Sequence, residues 1–400
     1  MTTGANTDQT QWHTVTCDAH TYTLPTRYQN PVRISQGAFG SVIRATDTET
    51  GRQVAIKKML KPFQTPEHAK RTYRELKLLM HLNHIDAQIV QIYNVFTPEQ
   101  DVTQFQTLYF VFNYCQYDLD RVIRRRIPFT EAHIKHIIYS LFRGLKFMHS
   151  AGVIHRDLKP SNIGIDKNCN VTILDFGLAR VLSDGIQTGY VATRWWRAPE
   201  VFVHWERYND KLDIWSVGCI MAELILLRPI FRGTDYVDQL NKIFELIGTP
   251  NLATLNETCT PELLYITQYN YNYTENFLDA ISYISRLQPR ARVDFNQLFG
   301  FRYQPGEAAP VSGISPQGID LLDRLLTFDP RSRPTAEEAL AHPFLSDIRE
   351  PIEEEPSMEP VVDEHQDANQ STAQWKSLIW SMIENFQPPS WINEDIDNNT

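Results

Sequence analysis

The sequence predicts an α+β fold in two unequal lobes, a small β-rich one over residues 27–115 and a larger helical one over residues 116–346. Three observations carry this reading. Short β-branched runs separated by glycine turns fill the stretch from Val32 to Ile56. Beyond residue 116 the apolar residues recur instead at helical spacing. The chain has 400 residues, 42% hydrophobic and 22% charged, which supports a large core without disulfide staples and excludes a disordered or collagenous chain.

Residues 1–26 are Thr- and Gln-rich and read as a loose terminal extension. Ile34 then leads through Ser35, Gly37 and Gly40 into Val42 and Ile43. A Thr50-Gly51 turn precedes Val54-Ala55-Ile56, giving strand, glycine loop, strand, turn, strand. Thr65 caps a helix with Pro66 at its first position, Glu67 in its first turn, and Ala69, Tyr73, Leu76 and Met80 as its apolar stripe. Leu108 to Phe112 reads as a further strand. Thr130 caps a long helix whose apolar side runs through Ile134, Ile137, Ile138, Leu141, Leu145 and Met148 and ends before Gly152. Ile214 to Leu227 is apolar nearly all round, as in a helix buried at the centre of a domain. Residues 347–400 form a separate tail. It opens with an acidic segment to residue 370, expected to be flexible, and ends in an amphipathic stretch (Trp375, Leu378, Ile379, Met382, Phe386) that must dock on something.

The net charge of −10 sits almost entirely in that tail, which holds 13 acidic and 2 basic residues. Charge alone leaves open whether the tail meets basic partners or only aids solubility. Arg124-Arg125-Arg126, the one compact basic run, has no interleaved aromatics, which argues against nucleic acid. Five cysteines, no two closer than 40 residues, exclude CxxC motifs and point to a reducing compartment. No apolar run approaches the ~18 residues of a membrane span, and residues 1–26 lack a basic, hydrophobic leader. A soluble, cytoplasmic protein is expected. Nuclear entry stays open, because no clear basic import signal appears.

The loop Ser35-x-Gly37-x-x-Gly40 would let main-chain N–H groups approach phosphates closely. It lacks the first glycine of G-x-G-x-x-G, and the strand that follows it excludes a dinucleotide-binding βαβ unit. Alone, such a loop is more often an ordinary hairpin, and a lysine like Lys57 usually just solvated. Both gain meaning from His155-Arg156-Asp157-Leu158-Lys159-Pro160-Ser161-Asn162, then Asp175-Phe176-Gly177, then Ala198-Pro199-Glu200. In this order and spacing the pieces resemble the signature set of the protein kinases over roughly residues 27–346. The resemblance implies the bilobal kinase fold, with ATP in the cleft between the lobes.

It also implies roles. Asp157 accepts the substrate hydroxyl proton, Lys159 lies beside the transferred phosphoryl group, and Asn162 completes the catalytic loop. Asn162 and Asp175 offer hard oxygen ligands to Mg²⁺. Lys57 holds the ATP phosphates while paired with Glu75, on the helix that Thr65 caps. Ile34, Ser35, Gly37, Gly40, Val42 and Ala55 belong to the ATP site, where Phe112 guards the back of the adenine pocket. Asn113, Tyr114 and Cys115 form the hinge. The Lys-Pro after Asp157 resembles serine/threonine rather than tyrosine kinases. Asp213 stands where kinases brace the catalytic loop, and Glu200 and Arg333 where a buried pair anchors the activation segment.

Thr188-Gly189-Tyr190, followed by Val191-Ala192-Thr193-Arg194, resembles the mitogen-activated protein kinases, and the intervening glycine points to their stress-activated, osmosensing class. Dual phosphorylation of Thr188 and Tyr190 would add about −1.5 to −2 charges at each site. The resemblance assigns Arg71, Arg74, Arg156 and Arg180 to the phosphothreonine, and Arg194 and Arg197 to the phosphotyrosine. The implied function is a monomeric, proline-directed serine/threonine kinase using ATP and Mg²⁺. Its implied partners are an upstream dual-specificity kinase, phosphatases and protein substrates. These arrive through docking peptides held by Asp118, Glu350, Glu353, Glu354 and Glu355, while the C-terminal extension packs on the small lobe. Nucleic acid and membrane are not expected partners.

Several residues depart from the family pattern: Ser35 for a loop glycine, the bulky Phe112, Lys167-Asn168 near the docking groove, and a long segment after Pro250. A kinase-like scaffold without catalysis is disfavoured by the intact Lys57, Glu75, Asp157, Asn162 and Asp175. A kinase regulated by a binding subunit, as in cyclin-dependent relatives, is disfavoured by Thr188-Gly189-Tyr190 and the Trp375 extension.

Overall fold

The structure is a computed structural model that describes residues 11–18, 20–37, 40–182, 194–202, 209–251, 253–255, 282–306, 308–354 and 359–392. The chain divides into two compact units, the first made of residues 1–85, 89–115 and 363–400, the second of residues 86–88 and 116–362.

In the first unit, a hairpin of β1 (Trp12–Cys17) and β2 (His20–Pro25) precedes a five-stranded antiparallel sheet. The sheet is formed by β3 (Tyr28–Gln36), β4 (Gly40–Asp47), β5 (Gln53–Met59), β6 (Ile92–Phe96) and β7 (Tyr109–Asn113) in the order β3-β4-β5-β7-β6. Register decides which side chains share a face. Lys57 lies opposite Val42 and Phe110, and Ala55 opposite Phe112, while Ile56 lies opposite Ile43 and Val111. Strand side chains alternate, so Val42, Ala55, Lys57 and Phe112 share one face and Ile43, Ile56 and Val111 the other. The second face is the core of this unit, and Tyr22 and Leu24 of the hairpin close it.

This corrects the expectation of a loose stretch over residues 1–26. The run from Trp12 to Pro25 holds four threonines together with Trp12, Val15 and Tyr22, residues that favour a pleated, half-buried surface. Burying Tyr22 and Leu24 contributes about 2 kcal/mol each. Residues 1–10 lie outside the described residues.

Helix α1 (Pro66–His81) starts at Thr65, whose hydroxyl accepts from the His68 N–H. It buries Ala69, Tyr73, Leu76 and Leu79. The C-terminal helix, Thr372–Glu384, packs against α1 within the same unit and buries Trp375 and Ile379.

The second unit is built on α3 (Glu131–Ser150), which follows the short α2 (Leu119–Arg124), and on α5 (Lys211–Leu226), which follows the short α4 (Pro199–Phe202). Helix α5 is buried from Leu212 to Ile225, in keeping with its apolar circumference. Small ladders carry the polar loops. Strand β9 (Val153–Ile154) pairs with β12 (Arg180–Val181), and β10 (Ile163–Ile165) pairs with β11 (Val171–Ile173) and with β8 (Tyr117–Asp118). Ile154 faces Arg180 and Ile163 faces Ile173, so the loops 155–162 and 174–179 hang from the same two pairings. Among the described residues no helix is long and apolar enough to cross a membrane.

One buried carboxyl in α5 makes stability depend on pH. Glu223 accepts from the Trp196 indole N–H at 2.8 Å. Burial pushes its pKa from 4.5 up to about 7, against the pull of that hydrogen bond. Between these values the folded chain holds a proton that the unfolded chain has released. The stabilisation from neutral Glu223 is therefore full below pH 4.5 and lost as pH rises through 7. Glu223→Gln keeps an acceptor for the indole. It is expected to melt a few degrees above the parent at pH 8 and level with it near pH 4.5 in paired calorimetric scans. An equal offset at both pH values would show that the carboxyl titrates normally.

Candidate active site

On the open face of the first sheet, Lys57 Nζ meets Glu75 Oε1 at 2.5 Å, with the lysine side chain 13% and the glutamate 2% exposed. Helix α1 delivers the glutamate and β5 the lysine. Glu75 Oε2 is buried and has no hydrogen-bond partner among the described residues. Gly40 opens β4 directly beside the lysine: a Cβ built there would stand 3.1 Å from both Lys57 Cγ and Cε. Gly37 N–H closes the loop by donating to the Gly40 carbonyl at 2.9 Å. Ser35 lies opposite Val42, Ile34 is half-buried beside it, and Ala38 and Phe39 lie outside the described residues. Phe112 is 8% exposed and sits edge-on to Phe110. The Asn113 side-chain oxygen accepts from the Gln91 N–H at 2.8 Å, which fastens the end of β7 to β6. Cys115 is half-buried, and Asn113 Nδ2 donates to its Sγ at 3.9 Å.

The second unit gathers a polar cluster on loop 155–162. Asp157 Oδ2 receives Lys159 Nζ at 2.6 Å and Asn162 Nδ2 at 3.0 Å, and Asn162 Nδ2 also donates to the Asp157 carbonyl at 2.9 Å. His155 is fully buried and holds both loops. Its Nε2 bonds the Leu174 carbonyl at 2.9 Å, and the Asp157 N–H donates to its Nδ1 at 3.3 Å, which assigns the proton to Nε2. Arg156 adopts φ 70°, a left-handed conformation that costs an arginine about 1–3 kcal/mol. Asp213 offsets this cost. Its two oxygens accept from the His155 N–H at 2.8 Å and the Arg156 N–H at 2.9 Å. Burial opposes ionisation of Asp213, but hydrogen bonding to His149 and from the His155 main-chain N–H holds its pKa below the usual carboxylate range. Asp175 is exposed in the second loop, at φ 62°, and accepts from the Gly177 N–H at 3.4 Å.

Glu200 and Arg333 form a buried bidentate pair at 2.7 and 2.8 Å. The guanidinium also donates to the carbonyls of Thr327, Phe328 and Lys211, and it lies over the Trp215 ring.

The arginines assigned to the phosphates divide between the units. Arg71 and the buried Arg74 ride on α1 of the first. Arg156, Arg180, Arg194 and Arg197 belong to the second. Arg194 donates to the Thr234 carbonyl and lies over the Tyr236 ring. Thr188 and Tyr190 lie outside the described residues, as do Glu355 and the side chain of Glu353.

Of the expected docking carboxylates, Asp118 caps α2 and pairs with Arg121 at 3.0 Å, and Glu350 is exposed. Glu354 is a correction. It turns inward onto Arg349 at 2.9 Å through both oxygens, with Lys146 at 3.7 Å, and is buried. The start of the tail is fixed as well as acidic, since Asp347 pairs with Lys135 at 2.7 Å and the Glu350 N–H donates to Tyr139 Oη at 2.9 Å. Arg349, five residues before Glu354, meets it bidentately, the strongest geometry for such a pair. His149, on the last turn of α3, was also missed; its Nε2 lies 3.0 Å from Asp213, and no spacing in the sequence joins the two.

The chain matches the description of the protein kinase domain over residues 28–345. It is 39% identical over 375 residues to mitogen-activated protein kinase 14 of Xenopus laevis, covering 94% of each chain. Against mitogen-activated protein kinase 13 of Homo sapiens it is 40% identical over 365 residues, covering 91% of each. These matches run through both units and take in the Asp157 cluster, the Lys57–Glu75 pair and the Glu200–Arg333 anchor. The chain belongs to the mitogen-activated protein kinases of the stress-activated class, serine/threonine kinases that transfer a phosphoryl group from ATP to protein.

Proposed function

We propose that this kinase phosphorylates serine or threonine before proline and is switched on by phosphorylation of both Thr188 and Tyr190 in a stress-response cascade. The observation that carries the catalytic assignment is the convergence of Lys159 and Asn162 on one oxygen of Asp157. That contact aims the carboxylate, which takes the proton from the substrate hydroxyl as the oxygen attacks the γ-phosphorus and the bond to the bridging oxygen breaks to release ADP. Lys159 then stands beside the phosphoryl group in transfer and offsets its charge. Lys57, steadied by Glu75, holds the remaining phosphates.

The kinase domain works on ATP with a divalent cation. The residues fit Mg²⁺. The Asn162 amide nitrogen is spent on Asp157, so its oxygen is the atom left for a cation, and the Asp175 carboxylate is exposed. When bound, the ion neutralises phosphate charge. Asp118 and Glu350, with Glu353 and Glu355, are the carboxylates proposed to meet docking peptides of activators, phosphatases and substrates. The enzyme is proposed to act as a monomer in the cytoplasm.

The test is turnover of a serine-proline peptide before and after treatment with a dual-specificity activating kinase. The parent is expected to gain activity, while Thr188→Ala and Tyr190→Phe each stay low, because separate arginine groups meet the two phosphates. Full activity in either variant would show that one phosphate suffices.

Phe112 closes the space behind the adenine pocket, which ATP does not use. Compounds that push an aryl group into that space are expected to inhibit Phe112→Thr about tenfold or more better than the parent, roughly the value of burying part of one ring. Equal inhibition at matched ATP occupancy would remove Phe112 from that position.

A further inference from the structure

Helix α1 presents two working faces. Arg71, Arg74 and Glu75 share one, and Lys70, Tyr73 and Lys77, three and four residues apart, share another. The second face is gripped by a segment 286–298 residues further along the chain. Lys70 Nζ donates to the Ala368 carbonyl at 3.1 Å, and the Tyr73 ring lies 5.0 Å from Trp375. Ring contacts of this kind tolerate sliding. The polar part of the grip does not.

That part is Asp363, whose side chain is 3% exposed. A single oxygen, Oδ1, receives Tyr73 Oη at 3.4 Å, Lys77 Nζ at 3.4 Å and the His365 N–H at 3.1 Å. We propose that Asp363 is a positioning residue for phosphoryl transfer: it draws Tyr73 and Lys77 onto one buried oxygen, fixes the rotation of α1, and so sets Glu75 against Lys57. The inference rests on the reading that Lys57 and Glu75 hold the ATP phosphates. A turn of α1 by one residue, about 100°, would carry both donors away and leave a desolvated carboxylate without its cation. The carboxylate thus penalises every rotation but one. Burial and the charge of Asp363 together raise the Tyr73 phenol well above its usual pKa, as a tyrosine against an ionised carboxylate should be.

The experiment uses the full chain after treatment with the activating kinase. Asp363→Asn and Lys77→Met are each expected to lower kcat/KM for ATP roughly tenfold, the scale of a sub-ångström misplacement. The double variant should be no worse than either single one, because both break one device. Glu364→Gln, an exposed neighbouring charge, should leave turnover alone. Ultraviolet titration of Asp363→Asn should show one tyrosine ionising at lower pH than in the parent. Unchanged kcat/KM in Asp363→Asn, or additive losses in the double variant, would overturn the proposal. If Asp363→Asn does not fold, Lys77→Met and Tyr73→Phe carry the same test. Activity retained by Lys57→Met would overturn the underlying reading instead. A dead Lys57→Met beside a fully active Asp363→Asn would remove only the role of Asp363.

Discussion

Asp157→Asn is expected to lower turnover of a serine-proline peptide at least about a hundredfold while leaving the fold intact. The amide is close to isosteric and can still accept from Lys159 and Asn162 through its oxygen, so the loop keeps its shape. What it loses is the negative charge and the ability to take a proton. Lys57→Met should cost as much for a different reason: it keeps the stem beside Gly40 but removes the ammonium, leaving Glu75 as a buried carboxylate without its cation. Initial rates of the activated variants, with circular dichroism to confirm folding, check both. Turnover near the parent's in either would remove that residue from the machinery.

Glu200→Ala should produce the largest loss of stability, about 3–5 kcal/mol. Arg333 is buried with Glu200 as its bidentate partner, and its neighbouring carbonyls supply acceptors but no full charge. Removing the glutamate strands a guanidinium that cannot shed its proton. Replacing both partners with apolar residues of similar volume should recover much of the loss, since the pair itself was costly to desolvate. Denaturant unfolding of the single and double variants gives the comparison. A double variant no more stable than Glu200→Ala would show that the pair, and not the stranded charge, provides the stability.

The fold class was legible because glycine turns and helical periodicity are local signals, and the catalytic loop because its chemistry needs fixed residue types at fixed spacing. What escaped was set by partners distant in sequence. The Thr-rich run before Pro25 reads as disordered until the sheet it covers is known, for only then does the alternation of Tyr22 and Leu24 acquire a face to bury. Glu354 read as an exposed docking carboxylate, and although Arg349 stands five residues away, nothing in the sequence announces that it and Lys146 turn the carboxylate inward. Asp363 escaped in the same way, since its partners lie on α1. Both carboxylates meet their cations only in the folded chain.

The two polar loops hang between the pairings Ile154–Arg180 and Ile163–Ile173. Eight residues span one gap and six the other, and neither number is free. Lengthening an ordinary surface loop costs only about 0.6 kcal/mol per doubling. Here an added residue would leave both rungs in place and bow the chain between them, taking the His155 and Arg156 N–H groups off Asp213 and Asp157 away from its neighbours. Length variation in this stretch would thus cost activity and, through the stranded Asp213 carboxylate, stability as well. What makes such a stretch readable in a single sequence belongs to the span between two rungs, with residue chemistry filling a distance already fixed.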